Sequence, residues 1–140
     1  MRTITEIIIH CTATEATKPV TLAEIDKDHK SRGWKGCGYH FIIHQNGLID
    51  IGRNLAEAGA HCKGHNANSI GIAYVGGLFN GKPYDTRSYE QIQSLALLIK
   101  TLRRTFPTIT KVKGHNEYAN KACPCFNVQA FCVVHQIFPI

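Results

Sequence analysis

The sequence predicts an α/β fold: one domain, residues 1–140, built on a mixed central β-sheet flanked by helices. Three observations carry that expectation. Strand-length apolar runs lie at 4–12 and 69–75, capped helical patterns at 21–33 and 88–105 are interleaved with them, and an Asn-Gly pair at 46–47 marks a hairpin. Strands alternating with helices give parallel pairing, and the hairpin adds an antiparallel partner, so the sheet is mixed.

Residues 4–12 read as a strand because apolar residues alternate and then run together into the core. Thr21-Leu22-Ala23-Glu24 has the capping-box pattern, a hydroxyl with Glu three residues on, and opens a helix to about Gly33. Tyr39 to His44 form the next strand, and Asn46-Gly47 turns it into a second at Leu48–Ile51. Residues 52–68 lack periodicity and read as a surface loop. Ser69 to Val75 is almost continuously apolar, as expected of a strand buried on both faces. Gly76-Gly77 ends it, and 78–87 is read as a loop. Ser88 caps a helix over 89–105, whose stripe is Ile92, Leu95, Ala96, Ile99 and Leu102, and Pro107 follows. Ile109 to Lys113 read as a short strand, 114–126 as a loop and 127–137 as a short apolar helix.

With 140 residues the chain is long enough for one sizeable core. A composition of 44% hydrophobic and 19% charged residues is that of an ordered globular chain, and no apolar run reaches the ~18 residues of a membrane span. The basic start is interrupted by Glu6 and has no small-residue cleavage site, so synthesis in the cytoplasm without a signal peptide is expected. Sixteen Lys and Arg against ten Asp and Glu leave +6, which favours polyanionic partners such as nucleic acid or an anionic cell wall. The basic residues form no stripe, however, and no stacking aromatics accompany them, so nucleic acid is not expected as a partner. The six cysteines lack a Cys-x-x-Cys pair and are expected to be reduced thiols, with Cys132 in the core.

Eight histidines prompt a search for metal ligands. His10 ends the first strand, His115 follows the last, and Cys123 comes eight residues later. Strand ends are where ligands collect in α/β sheets, and two imidazoles plus a thiolate leave a fourth zinc position open. Spacing alone leaves two readings open for His10, a ligand or a hydrogen-bonded core histidine. His40 and His44, alternating on a strand, read as structural or solvent-facing, as do His29 and His135.

Five ordered motifs resolve more. Ile8-Ile9-His10-Cys11-Thr12-Ala13-Thr14, Gly38-Tyr39-His40-Phe41-Ile42-Ile43, Asn66-Ala67-Asn68-Ser69-Ile70-Gly71-Ile72, Gly114-His115-Asn116-Glu117 and Lys121-Ala122-Cys123-Pro124 span nearly the whole chain. Together they resemble the zinc-dependent N-acetylmuramoyl-L-alanine amidases of the phage lysozyme type, relatives of the peptidoglycan recognition proteins. The resemblance implies a zinc ion, one per chain, held by His10, His115 and Cys123, with Tyr39 and Lys121 in the catalytic positions. It implies peptidoglycan as the partner of a monomeric enzyme that reaches the wall on release during lysis, with no separate wall-binding domain. The loop carrying His61, Asn66, Asn68 and Ser69 is expected to line the substrate groove, and Arg53 to be a structural ion partner or to bind a stem-peptide carboxylate. The general base is left open: Glu117, the nearest carboxylate in sequence, is expected either to serve there or to brace a ligand histidine. Two positions depart from the pattern: Asn127 replaces a frequent acid and Cys125 a small polar residue, placing a second thiol beside the ligand. The rival readings are a peptidoglycan-binding module that has lost its metal, and a cysteine peptidase.

Overall fold

The computed structural model describes residues 1–138. Eight strands and three helices follow in the order β1 (Glu6–Cys11), β2 (Thr14–Glu15), α1 (Leu22–Ser31), β3 (Phe41–Ile43), β4 (Ile49–Ile51), β5 (Ser69–Tyr74), β6 (Gly77–Phe79), β7 (Lys82–Pro83), α2 (Tyr89–Thr105), β8 (Lys111–Gly114) and α3 (Val128–Val134). The main sheet has the order β4-β3-β5-β1-β8. Only β3 and β4 pair antiparallel within it; β3–β5, β5–β1 and β1–β8 are parallel. The mixed sheet flanked by helices is therefore as the sequence predicts.

Side chains alternate between the faces of a strand, and that alternation places the site. Ile7, Ile9 and Cys11 of β1 and Ile70, Ile72 and Tyr74 of β5 join one core with Leu95, Ile99 and Leu102 of α2 and Phe131 of α3. The opposite face of β1 carries Glu6, Ile8 and His10, which lie opposite Ser69, Gly71 and Ala73 of β5 in register. Those small residues leave space over the sheet that larger side chains would fill. Toward α1 this second face is covered by a smaller cluster of Val20, Ile25, Cys37, Ile42 and Val75.

All three helices start at side-chain caps. Thr21 accepts from the Glu24 N–H, Ser88 and Gln91 form a reciprocal capping box, and Asn127 accepts from the Ala130 N–H. Asn127, where the acid was expected, thus keeps a capping function. Ile99, on the buried face of α2, is fully enclosed; Ile99→Ala is expected to cost about 2–5 kcal/mol, measured by urea unfolding.

The segment 78–87 is a correction. It holds a β6–β7 hairpin, and with β2 it makes a second, three-stranded sheet. Asn80 and Gly81 both have positive φ, 51° and 75°, the condition for the two-residue turn that Asn-Gly favours. The same dipeptide signal was read at 46–47 and passed over at 80–81, because β6 and β7 are too short to show alternation. The 52–68 loop is irregular except for a 3-10 turn at Asn66–Asn68. Arg2 ties it down, donating from Nε to the Leu55 carbonyl at 2.9 Å and from Nη1 to the Ser69 carbonyl at 2.8 Å.

Candidate metal centre and active site

β1 and β8 are parallel neighbours, so their carboxyl ends emerge side by side. His10 comes from the first; His115 opens the 3-10 turn His115–Glu117 that follows the second. The rings lie with centroids 4.6 Å apart. Cys123 is brought back over this edge, where its Sγ accepts the Cys11 backbone N–H at 3.2 Å and stands 3.8 Å from His10 Nδ1. One donor atom from each of His10, His115 and Cys123 lies within 4.8 Å of the others. A tetrahedral zinc with ligand bonds of ~2.0–2.3 Å needs donors about 3.3–3.8 Å apart, so the three side chains fit the ion with a small contraction.

The protonation states fit as well. Burial holds His10 well below the ordinary imidazole range, with His61, His115 and Lys121 adding to the effect. His115 is lowered by burial and by the charge of Lys121. Neutral imidazoles are what a metal requires. Hydrogen bonding from the Cys11 thiol, working against burial and helped by the Cys11 N–H, lowers the Cys123 thiol below its ordinary value. Burial pushes Cys125 up to about 11, and its Sγ points to the Gly77 carbonyl at 3.5 Å. Of the two cysteines, Cys123 is the one that converges with His10 and His115 and the one whose thiol is acidified. All six cysteines are free.

The donors open into a cavity of about 380 Å³ that Tyr39 and Lys121 also line. The Tyr39 ring is 5.4 Å from that of His10, and burial raises its phenol, which stays protonated. The far wall is α1 with Trp34. Glu24 and Asp28 on that helix and Arg32 at its C-cap, spaced four apart, line it, and Arg32 pairs with Asp28 at 3.0 Å. That i, i+4, i+8 stripe was in the sequence but is indistinguishable there from a solvated helix face. Cys11, whose backbone N–H donates to the Cys123 sulfur, was likewise given no role in the sequence reading.

The expected substrate-binding loop needs correction. His61 borders the cavity, but its Nδ1 is 2.8 Å from His10 Nε2 and its Nε2 is 3.1 Å from Ser69 Oγ, so neither ring nitrogen is free for substrate. Asn66 Oδ1 accepts the backbone N–H groups of His61 and Cys62 at 2.9 and 3.0 Å. Asn68 donates to the Thr3 carbonyl at 2.8 Å, and Ser69 is fully buried. Asn66, Asn68 and Ser69 shape the loop rather than the cavity wall. Glu117 also differs from expectation: its Oε2 accepts the Gly114 N–H at 2.7 Å, bracing the backbone before His115 and not the imidazole. Arg53 is structural, donating to the carbonyls of Cys37 and Ala58.

Three other histidines, His29, His40 and His44, are structural too. His29 Nδ1 accepts the Gly38 N–H, and His44 meets Asp50 across the β3–β4 hairpin. His40 Nδ1 accepts the Gly71 N–H at 3.0 Å, and burial lowers its pKa to about 4. The unfolded chain takes up this proton near pH 6.5 and the folded one only near pH 4. Stability is therefore intact above pH 6.5 and falls between those values, by about 2 kcal/mol at pH 5 from this group. Urea unfolding of metal-free protein at pH 7 and pH 5 measures it: His40→Gln should shrink the difference by about that amount, the remainder coming from His10, His29, His61 and His115, which burial also lowers.

A sheet whose strand ends present an N,N,S donor set into an open cavity, with a protonated phenol and a lysine along its lining, has the make-up of a metal-dependent hydrolase site on an α/β scaffold. Comparison with known proteins narrows the class. The family model for N-acetylmuramoyl-L-alanine amidase (Amidase_2) matches residues 1–126, and the chain belongs to that family. It is 40% identical over 124 residues to the endolysin of Escherichia phage T7, covering 88% of this chain and 82% of that protein. It is 38% identical over 125 residues to the endolysin of Klebsiella phage KP32, covering 89% and 82%. The solved structure of the N-acetylmuramoyl-L-alanine amidase LysC from Clostridium intestinale matches with a TM-score of 0.84 at 33% identity, over 97% of this chain and 87% of that one.

Proposed function

We propose that this amidase hydrolyses the amide between the lactyl group of N-acetylmuramic acid and the L-alanine of the stem peptide, using one zinc ion held by His10, His115 and Cys123. The observation that carries this reading is the convergence of two neutral imidazoles and an acidified thiol at the mouth of the cavity that Tyr39 and Lys121 share. Bound there, zinc supplies a water acidic enough to be hydroxide near neutral pH and a positive charge for the scissile carbonyl.

The protein side chains supply the rest. As the carbonyl carbon becomes tetrahedral, negative charge builds on its oxygen. The Tyr39 hydroxyl, kept protonated by burial, donates a hydrogen bond to that oxygen. Lys121 contributes a fixed positive charge on the same side; its field already lowers His10 and His115. The water oxygen bonds to the carbonyl carbon, one of its protons passes to the alanine nitrogen, and the C–N bond breaks, leaving the lactyl carboxylate and the free amine of alanine. Glu117 takes no part, being committed to the Gly114 N–H.

Peptidoglycan is the substrate, with the +6 charge drawing the chain to an anionic wall. No helix among the described residues is long and apolar enough to cross a membrane. We place its action after release at lysis, as a monomer. Purified peptidoglycan digested with and without chelator, followed by mass analysis, tests the reading. Free muramic lactyl ends that vanish with chelator and return with zinc support it. Chelator-resistant cleavage points to the Cys123 thiol as nucleophile, and wall binding without cleavage to a recognition module.

A further inference from the structure

We infer that His61, held by Ser69, is the positioning residue for the metal ligand His10, and that its task is to fix which nitrogen of His10 meets the metal. The inference rests on the metal-centre reading above. His10 presents Nδ1 to the cavity beside Cys123 Sγ, and Nε2 to His61. A metal on Nδ1 needs that nitrogen bare, so the His10 proton sits on Nε2 and is donated to His61 Nδ1 over 2.8 Å. His61 then carries its own proton on Nε2 and donates it to Ser69 Oγ over 3.1 Å. The opposite arrangement, with Ser69 donating and His61 Nδ1 protonated, would put a proton on His10 Nδ1 and close the site to metal. The hydrogen-bonded chain thus has two hydrogen arrangements, of which one binds.

The ring is held too closely for this contact to be incidental. His10, His61 and Ser69 are exposed by only 2%, 8% and 0%. A Cβ at Gly71 would come within 2.6 Å of the His61 ring, and one at Gly59 within 2.6 Å of its Cδ2, so glycine is required on both sides. Asn66 fixes the His61 backbone. Metal-binding histidines commonly donate to a carboxylate, carbonyl or water. A neutral imidazole in that place orients His10 without bringing a second negative charge to a site that already holds a thiolate. The metal therefore keeps more of its charge for acidifying water.

The test is metal affinity, measured on the full chain stripped of metal and titrated with zinc against a competing chelator. His61→Leu removes the acceptor and is expected to weaken zinc about 10–100-fold and to alter the visible spectrum of the cobalt-substituted protein. His61→Gln, whose amide oxygen accepts and whose amide nitrogen donates, is expected to restore most of the affinity. Ser69→Ala should show a smaller loss of the same sign. Urea unfolding of the metal-free variants separates folding from binding: a purely structural His61 lowers stability and leaves the zinc constant of the folded protein unchanged. That result, or equal affinities in wild type and Ser69→Ala, overturns the inference. If His61→Leu does not fold, Ser69→Ala decides alone. A wild type that binds zinc tightly but cleaves no peptidoglycan overturns the amidase reading and leaves this one standing; a wild type that binds neither zinc nor cobalt overturns both.

Discussion

Cys123→Ala is expected to lose bound zinc and hydrolysis together, with kcat falling by at least about 10³-fold, whereas Cys125→Ser keeps both. The rate estimate is modest beside the change it reverses, since an unbound water has a pKa of ~15.7 against roughly 7 on zinc. The contrast between two cysteines separated by one proline follows from their surroundings. Cys123 receives hydrogen bonds from the thiol and N–H of Cys11 and is acidified; Cys125 donates to a carbonyl and is pushed up to about 11. Cys123→Asp should retain measurable zinc, because a carboxylate is an accepted ligand. Metal analysis after dialysis, alongside turbidity loss of purified walls, reads both properties. Zinc lost from Cys125→Ser and retained in Cys123→Ala would reverse the assignment.

Tyr39→Phe and Lys121→Ala are expected to behave differently, keeping stoichiometric zinc and normal stability while losing about 10²–10³ in kcat. Both side chains line the cavity and neither is among the converging donors. Their interactions strengthen as charge develops on the carbonyl oxygen, so KM should change much less than kcat. Lys121→Arg should recover only part of the rate, since a planar guanidinium does not place its charge where a compact ammonium does. Full activity in Lys121→Ala with zinc present would reduce that lysine to a solvated side chain.

Which parts of this centre were legible in the sequence follows from what each part depends on. The long apolar runs of β1 and β5 and the caps at Thr21 and Ser88 are local patterns, and they appear where periodicity put them. Strands of two or three residues, such as β2, β6 and β7, carry too few positions to show a period. His10, His115 and Cys123, which the fold brings together, were picked out by ordered motifs and not by spacing. The contacts of His61 were not, because a loop residue and a strand residue 51 positions apart share no local signal. Within the motif Asn66–Ser69, Asn66 and Ser69 hydrogen-bond His61 and Asn68 the Thr3 carbonyl, contacts that no local pattern announces. Glu117 was placed near the ligand by sequence distance, yet a 3-10 turn directs its carboxylate back to the chain.

The position of β1 between β5 and β8 has a consequence for when this protein becomes an enzyme. His10 leaves the ribosome among the first residues, yet its partners His115 and Cys123 belong to the last quarter of the chain. A nascent chain can lay down β1, β3 and β5 and still have no place for the ion, because the edge strand that delivers His115 has not been made. Joining positions 10 and 123 through one atom closes a loop of over a hundred residues, much as a late cross-link would. Zinc at a hundred times its dissociation constant would add about 2.7 kcal/mol to the finished fold and nothing to the unfinished one. On the proposed metal centre, activity is tied to completion of synthesis, and a product cut short before β8 is expected to be inert toward any wall it meets.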